Sequence, residues 1–120
     1  MAGFRFEDLD VWKEAIEISD LLFDVALKAE EKKHYRFAEQ LRGAGMSITN
    51  NIAEGSGSFS DKEFSNFLNM ARRSIFECAN ILILYERRKI IETTEREKIY
   101  TLLVTLSKKT TNLRKAILKK

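Results

Sequence analysis

Basic side chains near the C-terminus are the residues whose type and spacing most clearly suggest a chemistry. From residue 107 onward the chain has no acidic residue and six basic ones: Lys108, Lys109, Arg114, Lys115, Lys119 and Lys120. On a helix, Lys108, Lys115 and Lys119 share one face, and cations clustered on a face can bind nucleic-acid phosphates. Two ordinary explanations stay open, because cations also stabilise the negative end of a helix dipole and a charged face is usual for a solvated helix.

The charge of the chain is unevenly divided. Residues 1–85 carry ten basic and fourteen acidic groups, whereas residues 86–120 carry eleven basic and four acidic groups, a net of −4 against +7. The C-terminal quarter is therefore the part of the sequence that favours an anionic partner. No aromatic residue is interleaved with its cations, so base stacking and sequence-specific readout are not predicted.

A second polar group, Ser47, Asn51 and Glu54, follows helical spacing just before Gly55. Carboxylates in a helical bundle can bind metals, but such sites need Glu-x-x-His pairs on several helices, and His34 is the only histidine. We interpret the group as forming hydrogen bonds to a helix end or to a neighbouring chain. Since no catalytic set can be assembled elsewhere, we predict a protein that is not an enzyme and has no cofactor.

Length and composition indicate a single domain over residues 1–120. Cys78 is the only cysteine, so no intramolecular disulfide can form, and its place on an apolar stripe predicts a buried thiol. No apolar run reaches about 18 residues, and the N-terminus has no secretion pattern. We expect a cytoplasmic protein that does not bind a membrane.

Four helical segments must position these side chains. Apolar residues at steps of three and four predict helices over about residues 8–29, 37–54, 60–89 and 94–118. The connections are short, and short connections between long helices favour antiparallel neighbours. The predicted fold is therefore all-α, an antiparallel up-down four-helix bundle.

The start of the third helix has the most complete local signal. Ser60 with Glu63 matches a capping box, in which the hydroxyl of the first residue accepts the backbone N–H of the fourth. Phe59 and Phe64 have the spacing of the matching hydrophobic staple.

Other helix ends have simpler signals. Asp8 or Asp10 could cap the first helix, and Thr94 with Glu97 predicts a second capping box at the start of the fourth. Gly55 is predicted to end the second helix in a left-handed conformation.

Two features favour contact with another helix or chain. Gly43, Ala44 and Gly45 stand together within a helix, where each glycine costs about 1 kcal/mol, so we predict that another helix approaches closely there. The third helix is also apolar on a second face, which includes Phe76 and Ile83. That face could be covered by the other three helices, but we favour a subunit interface.

Several short motifs occur in a fixed order along nearly the whole chain: Phe6 to Ala15, Gln40-Leu41-Arg42, Ala44, Ser47-Ile48, Asn51 to Gly55, Phe67-Leu68, Ala71, Ser74 and Glu77. Together they resemble the four-helix bundle proteins encoded in the intervening sequences of bacterial 23S ribosomal RNA. That family is similar to the accessory variability proteins of diversity-generating retroelements.

The resemblance implies a bundle that assembles into a ring-like homopentamer, and the retroelement relatives bind a reverse transcriptase and nucleic acid through basic surfaces. The ribosomal-RNA group itself has no settled activity. The chain lacks the usual Phe-Pro before the second helix, and it has Gly43 and Arg73 where a second arginine and a small residue are usual. The residues assigned to the family motif or to an oligomer interface are Gln40, Arg42, Ser47, Asn51, Glu54, Gly55, Phe76 and Ile83.

Two classes of function follow. The first is an accessory module that binds RNA, DNA or a ribonucleoprotein through the C-terminal cations, which five copies in a ring would repeat. The second is a structural or protein-interaction ring that binds no nucleic acid. Neutralising the C-terminal cations separates the two, because only the first class depends on them.

Overall fold

A computed structural model describes residues 3–119, which form four long helices and no strand. A short 3-10 helix, Arg5–Asp8, precedes α1 (Asp10–Glu31), which is followed by α2 (Tyr35–Ser56), α3 (Asp61–Arg87) and α4 (Thr93–Leu118). The predicted all-α class with four helices is confirmed.

Each helix contributes one apolar stripe to a common core. Leu22 of α1, Leu41 of α2, Leu82 of α3 and Leu103 of α4 are almost completely shielded from solvent. α2 packs between α1 and α3, α3 packs on α4, and a less extensive contact between α4 and α1 closes the bundle. Cys78 is buried in this core, as its position on the stripe predicted.

Two ion pairs connect α1 with α4. Lys28, near the end of α1, contacts Glu95, near the start of α4, at 2.7 Å between Nζ and Oε1. Lys109, in the second half of α4, pairs with Glu14, in the first half of α1. Partly exposed pairs such as these contribute only about 0–1 kcal/mol to stability, so their main effect is on the charge left at the surface.

The N-cap predicted for α3 is confirmed, but the hydrophobic staple is not. Ser60 is the N-cap, and its hydroxyl accepts the Glu63 N–H at 3.1 Å. The predicted hydrophobic staple is wrong, because the Phe59 side chain is fully exposed while Phe64 is buried. The ring of Phe64 instead packs in the core, with the Arg5 guanidinium 4.9 Å from its centroid.

The predicted caps of α1 and α4 are also wrong. The N-cap of α1 is Leu9, because the 3-10 helix takes up the residues before it, and no side chain caps this end. α4 begins one residue before Thr94, with Glu92 as its N-cap. The hydroxyl of Thr93 donates to Glu86 of α3 at 2.7 Å, so a contact with a neighbouring helix holds this end.

Gly55 does not end α2. The helix continues to Ser56, and no glycine among residues 3–119 has a positive φ. A Cβ on Gly55 would lie 2.6 Å from Cβ of Phe67 and 3.0 Å from the Phe64 ring, so this glycine lets α2 and α3 approach each other. Glycine is therefore present at position 55 for a steric reason, because Phe67 of α3 leaves no room for a Cβ there.

The two glycines earlier in α2 have different surroundings. A Cβ on Gly45 would lie 3.3 Å from Leu22 of α1, which confirms the predicted close approach of another helix at this position. A Cβ on Gly43 would meet nothing within 4 Å. Gly43 therefore faces open space in the protomer.

Lysines occupy the left-handed position that follows α1 and α3. Lys33 has a φ of 68° and Lys89 a φ of 60°, a region that normally favours glycine. In each case the next N–H donates five residues back, from His34 to Ala29 at 2.8 Å and from Ile90 to the Tyr85 carbonyl at 2.9 Å. These Schellman-type bonds end the helices and satisfy carbonyls of the last turn.

We predict opposite effects for the same substitution at two glycines of α2. Gly55→Ala should lower the free energy of unfolding by about 1–3 kcal/mol, because its methyl group overpacks the contact with Phe67. Gly43→Ala should raise it by up to about 1 kcal/mol, the usual difference in helix propensity. Urea denaturation measures both. A stabilising Gly55→Ala would contradict the steric role, and a destabilising Gly43→Ala would indicate that another chain contacts this face.

Candidate nucleic-acid interface

Three lysines share one exposed face at the C-terminal part of α4. The apolar stripe of this helix turns into the core, which leaves Lys108, Lys115 and Lys119 exposed to solvent. Within residues 3–119 none of the three forms an ion pair, and no acidic residue follows Glu97 in the chain. We call Lys108, Lys115 and Lys119 the basic stripe.

Other predicted members of this surface contact neighbouring helices. Lys109 pairs with Glu14 of α1, and the Arg114 Nε donates to the Ser65 carbonyl of α3 at 3.3 Å. Lys120 lies outside the described residues. Of the five predicted cations that the structure describes, the three of the basic stripe have no ion-pair partner within residues 3–119, and the other two have charged groups that contact α1 or α3.

A shallow apolar groove runs between α3 and α4 beside the basic stripe. Among its lining side chains are Phe76, Ala79, Tyr100, Val104 and Lys108. Phe76 is 56% exposed, and the Arg72 guanidinium carbon lies 4.7 Å from the centroid of its ring. We call this feature the α3–α4 groove.

The groove brings together an aromatic ring and a lysine of the basic stripe. This proximity was not predicted from the sequence. Phe76 and Lys108 are 32 residues apart in the chain and on different helices. The only signal for it was the second apolar face of α3, which was assigned to a subunit interface. Ile83, the other residue of that assignment, is 39% exposed. The interface itself stays a prediction.

A second group of cations lies at the opposite end of α4, where two connections meet. The Lys32 Nζ donates to the Lys89 carbonyl at 2.7 Å, which brings the α1–α2 and α3–α4 connections together. The basic residues around this contact are Lys32, Lys33, Arg36, Arg87, Arg88 and Lys89. Carboxylates are interleaved with them at Glu31 and Glu92, so this end mixes both signs of charge, whereas the basic stripe consists of lysines alone.

The polar motif residues of α2 form a hydrogen-bonded network with α3. The Asn51 amide nitrogen donates to the Ser47 carbonyl at 2.8 Å and to its hydroxyl at 3.0 Å. The Ser74 hydroxyl of α3 donates to the Ser47 hydroxyl at 2.8 Å. Glu54 is exposed and lies outside this network. The network thus joins two helices within one protomer.

Arg42 has a structural contact as well. Its guanidinium donates to the Glu30 carboxylate of α1 at 2.6 Å, and this hydrogen bond raises the pKa of Arg42 and lowers the pKa of Glu30. Both groups therefore stay charged at neutral pH, and Arg42 connects α2 to the end of α1. Gln40 is exposed, so it remains available to a partner.

The described residues contain no group of three or more His, Cys, Asp or Glu side chains that could hold a metal ion. Burial raises the pKa of the Cys78 thiol to about 12, so the sulfur stays protonated and unreactive at neutral pH. None of the four helices, over residues 3–119, has the length and apolar character needed to span a bilayer.

Comparison with known families agrees with the motif pattern. The model of the 23S rRNA-intervening sequence protein family matches residues 7–112. The chain belongs to this family. A search of curated proteins found no match.

A solved member of the S23 ribosomal protein family has a similar fold. It is a protein of unknown function from Bacteroides thetaiotaomicron VPI-5482, with a TM-score of 0.83 and 24% sequence identity. The match covers 88% of this chain and 98% of that chain. At this identity the likeness supports the fold alone.

The range matched by the family model includes only part of the candidate interface. Phe76, Ser47, Asn51 and Lys108 lie inside the matched range, whereas Lys115 and Lys119 follow its end at residue 112. Family membership therefore carries no argument for the last two lysines of the basic stripe, and the case for them is their exposure and charge.

We predict that stability falls at alkaline pH partly because of Cys78. The thiol has an ordinary pKa of 9.0 and a native pKa of about 12, so above pH 9 the unfolded chain loses a proton that the folded chain keeps. The stabilisation is complete below pH 9 and is lost as the pH rises toward 12. Between pH 8 and pH 10 the wild type should lose about 1 kcal/mol more than Cys78→Ala, measured by urea denaturation. Equal losses would contradict a buried, protonated thiol.

Proposed function

We propose that this protein is a non-enzymatic, cytoplasmic accessory module that binds RNA or a ribonucleoprotein through the basic stripe of α4. The observation that carries the proposal is that Lys108, Lys115 and Lys119 are exposed and lack ion-pair partners within residues 3–119. Because no carboxylate of the described residues pairs with them, an approaching phosphate backbone can replace counterions at all three positions.

The binding we propose is electrostatic and tolerant of sequence. Lysine presents a flexible ammonium group that contacts phosphate as a point charge, without the bidentate geometry by which arginine reads a base edge. Phosphate contacts of this kind position a nucleic acid but carry no sequence information. A structured RNA and a duplex of similar length should therefore bind with comparable affinity at the stripe.

We further propose that the helices alternate up and down. The two ion pairs between α1 and α4 support this arrangement, since one joins the end of α1 to the start of α4 and the other joins the first half of α1 to the second half of α4. The bond from Arg114, near the end of α4, to Ser65, near the start of α3, supports it as well. In such a bundle the end of α4 lies beside the start of α3.

The ring-like homopentamer is a proposal that comes from the resemblance to the intervening-sequence proteins and their retroelement relatives. Five copies would repeat the basic stripe around one assembly, and linked weak sites bind a long nucleic acid more tightly than one site does. The proposal therefore needs only modest affinity from each protomer.

We predict that changing Lys108, Lys115 and Lys119 to Gln removes salt-steep binding. The measurement is fluorescence anisotropy with a labelled structured RNA and a labelled duplex DNA across a salt series. Loss of three phosphate contacts should reduce the slope of log affinity against log salt by about 2–3 per protomer. The affinity at low salt should fall by at least about tenfold.

A matched control removes the same charge from elsewhere on the surface. Lys13, Arg73 and Lys98 are exposed on α1, α3 and α4, and they are away from the stripe in sequence. Changing these three to Gln should leave the slope within experimental error of the wild type. An equal loss in both variants would mean that net charge, and not the stripe, governs binding. No binding by the wild type at low salt would reject the proposal.

The alternative is a structural or protein-interaction ring. The observation that favours it is the exposure of two apolar side chains on α3, Phe76 at 56% and Ile83 at 39%. Apolar side chains grouped on a surface commonly mark a contact with another protein. In this alternative the basic stripe only keeps α4 solvated, and its neutralisation leaves assembly and partner binding unchanged.

Assembly is testable independently of nucleic-acid binding. Light scattering at micromolar concentration should give a mass near five times the 13.9-kDa chain if the homopentamer forms. The basic-stripe variant should have the same mass, since the stripe is not assigned to the contact between copies. A stable monomer would reject the pentamer, and it would leave nucleic-acid binding by single protomers to be judged by anisotropy.

A further inference from the structure

We propose that the α3–α4 groove binds a single-stranded segment of nucleic acid, with one base stacked on Phe76 and the adjacent phosphates on Arg72 and Lys108. This inference rests on the proposed function and identifies its ligand class. The observation behind it is that an exposed aromatic ring contacts the Arg72 guanidinium and lines the same groove as Lys108 of the other helix.

The Phe76 side chain is largely exposed to solvent. More than half of the residue contacts solvent, although a phenylalanine side chain is stabilised by burial. Its neighbour Arg72 lies over the ring at 4.7 Å, so one face has a cation while much of the residue stays open. Single-stranded nucleic acids are bound on surfaces of this type, where aromatic rings stack with bases and cations follow the backbone.

The shape of the groove favours a strand over an enclosed small molecule. It encloses about 210 Å³. Pockets that enclose small ligands usually measure about 300–1,000 Å³. A base can lie on such a shallow surface while the rest of the strand follows α4 toward Lys115. A duplex offers no free base face, because its bases are stacked on one another, so Phe76 should discriminate between single and double strands.

Charge favours nucleic acid over a second copy of the chain as the occupant. The lining of the groove includes Lys108 and no acidic residue, and Arg72 borders it on the ring of Phe76. A second copy that covered this region with an apolar helix face would desolvate both cations without pairing them, which is costly. A phosphate backbone supplies the opposite charge while its base covers the ring.

The test compares two Phe→Leu substitutions of similar volume change. Phe76→Leu removes the ring from the groove, whereas Phe23→Leu removes a partly exposed ring from α1, a helix that does not line the groove. The probes are a fluorescein-labelled 12-nucleotide oligo(U) and a 12-base-pair RNA duplex. Circular dichroism and thermal melting establish that each variant is folded.

We expect Phe76→Leu to weaken oligo(U) binding by about tenfold, as removal of one stacking platform does. Duplex binding should change by less than twofold, and the salt slope for oligo(U) should be unchanged, because no charge is removed. Phe76→Trp should bind oligo(U) at least as tightly as the wild type, and Phe23→Leu should match the wild type on both probes.

Three results would overturn the inference. Unchanged oligo(U) binding by Phe76→Leu, with loss of binding by the basic-stripe variant, would reject stacking and leave the proposed function standing. Equal weakening for both probes would reject single-strand selectivity. A smaller assembly mass for Phe76→Leu would assign the groove to a contact between copies. If the wild type binds neither probe at low salt, the proposed function fails and the inference fails with it.

Discussion

The close contact between α2 and α3 is the constraint on which the rest of the structure depends. At one point the two helices approach until a Cβ on Gly55 would lie 2.6 Å from Phe67, which only glycine permits. Farther along the same interface, the hydroxyls of Ser47 and Ser74 form a hydrogen bond of 2.8 Å. A steric contact and a directional contact on one side of α3 fix its rotation, and the opposite side of the helix consequently presents Phe76 beside α4.

Ion pairing determines which cations remain available at the surface. Carboxylates on neighbouring helices pair with Arg42, Lys28, Arg96 and Lys109. Each of these partly exposed pairs adds little to stability, but each removes a positive charge from the field that a phosphate would meet. For the proposed binding of phosphate, the net charge of +3 is therefore a poorer guide than the distribution of charge along α4.

Much of the fold could be predicted from the sequence, because the information for it is local. The apolar stripes that place Leu41 and Leu103 in the core recur at helical spacing, and Ser60 caps α3 through a bond to a residue three positions later. Two of the errors occurred where a distant residue decides the local structure. Gly55 looked like a helix terminator, yet its neighbour Phe67 belongs to the next helix. The start of α4 is held by Glu86 of α3.

The candidate site, like the fold, could be predicted from the sequence only where its features are local. The sequence by itself determined the helical periodicity, the family motifs and the spacing of Lys108, Lys115 and Lys119, because these depend on residues within a few turns of one helix. Only the tertiary structure decided that Lys109 is paired with Glu14 and that Phe76 and Lys108 line the same groove. Such contacts join residues far apart in the chain, and they depend on how each helix is rotated against its neighbours. Packing at glycine and serine contacts sets that rotation, which no local pattern encodes.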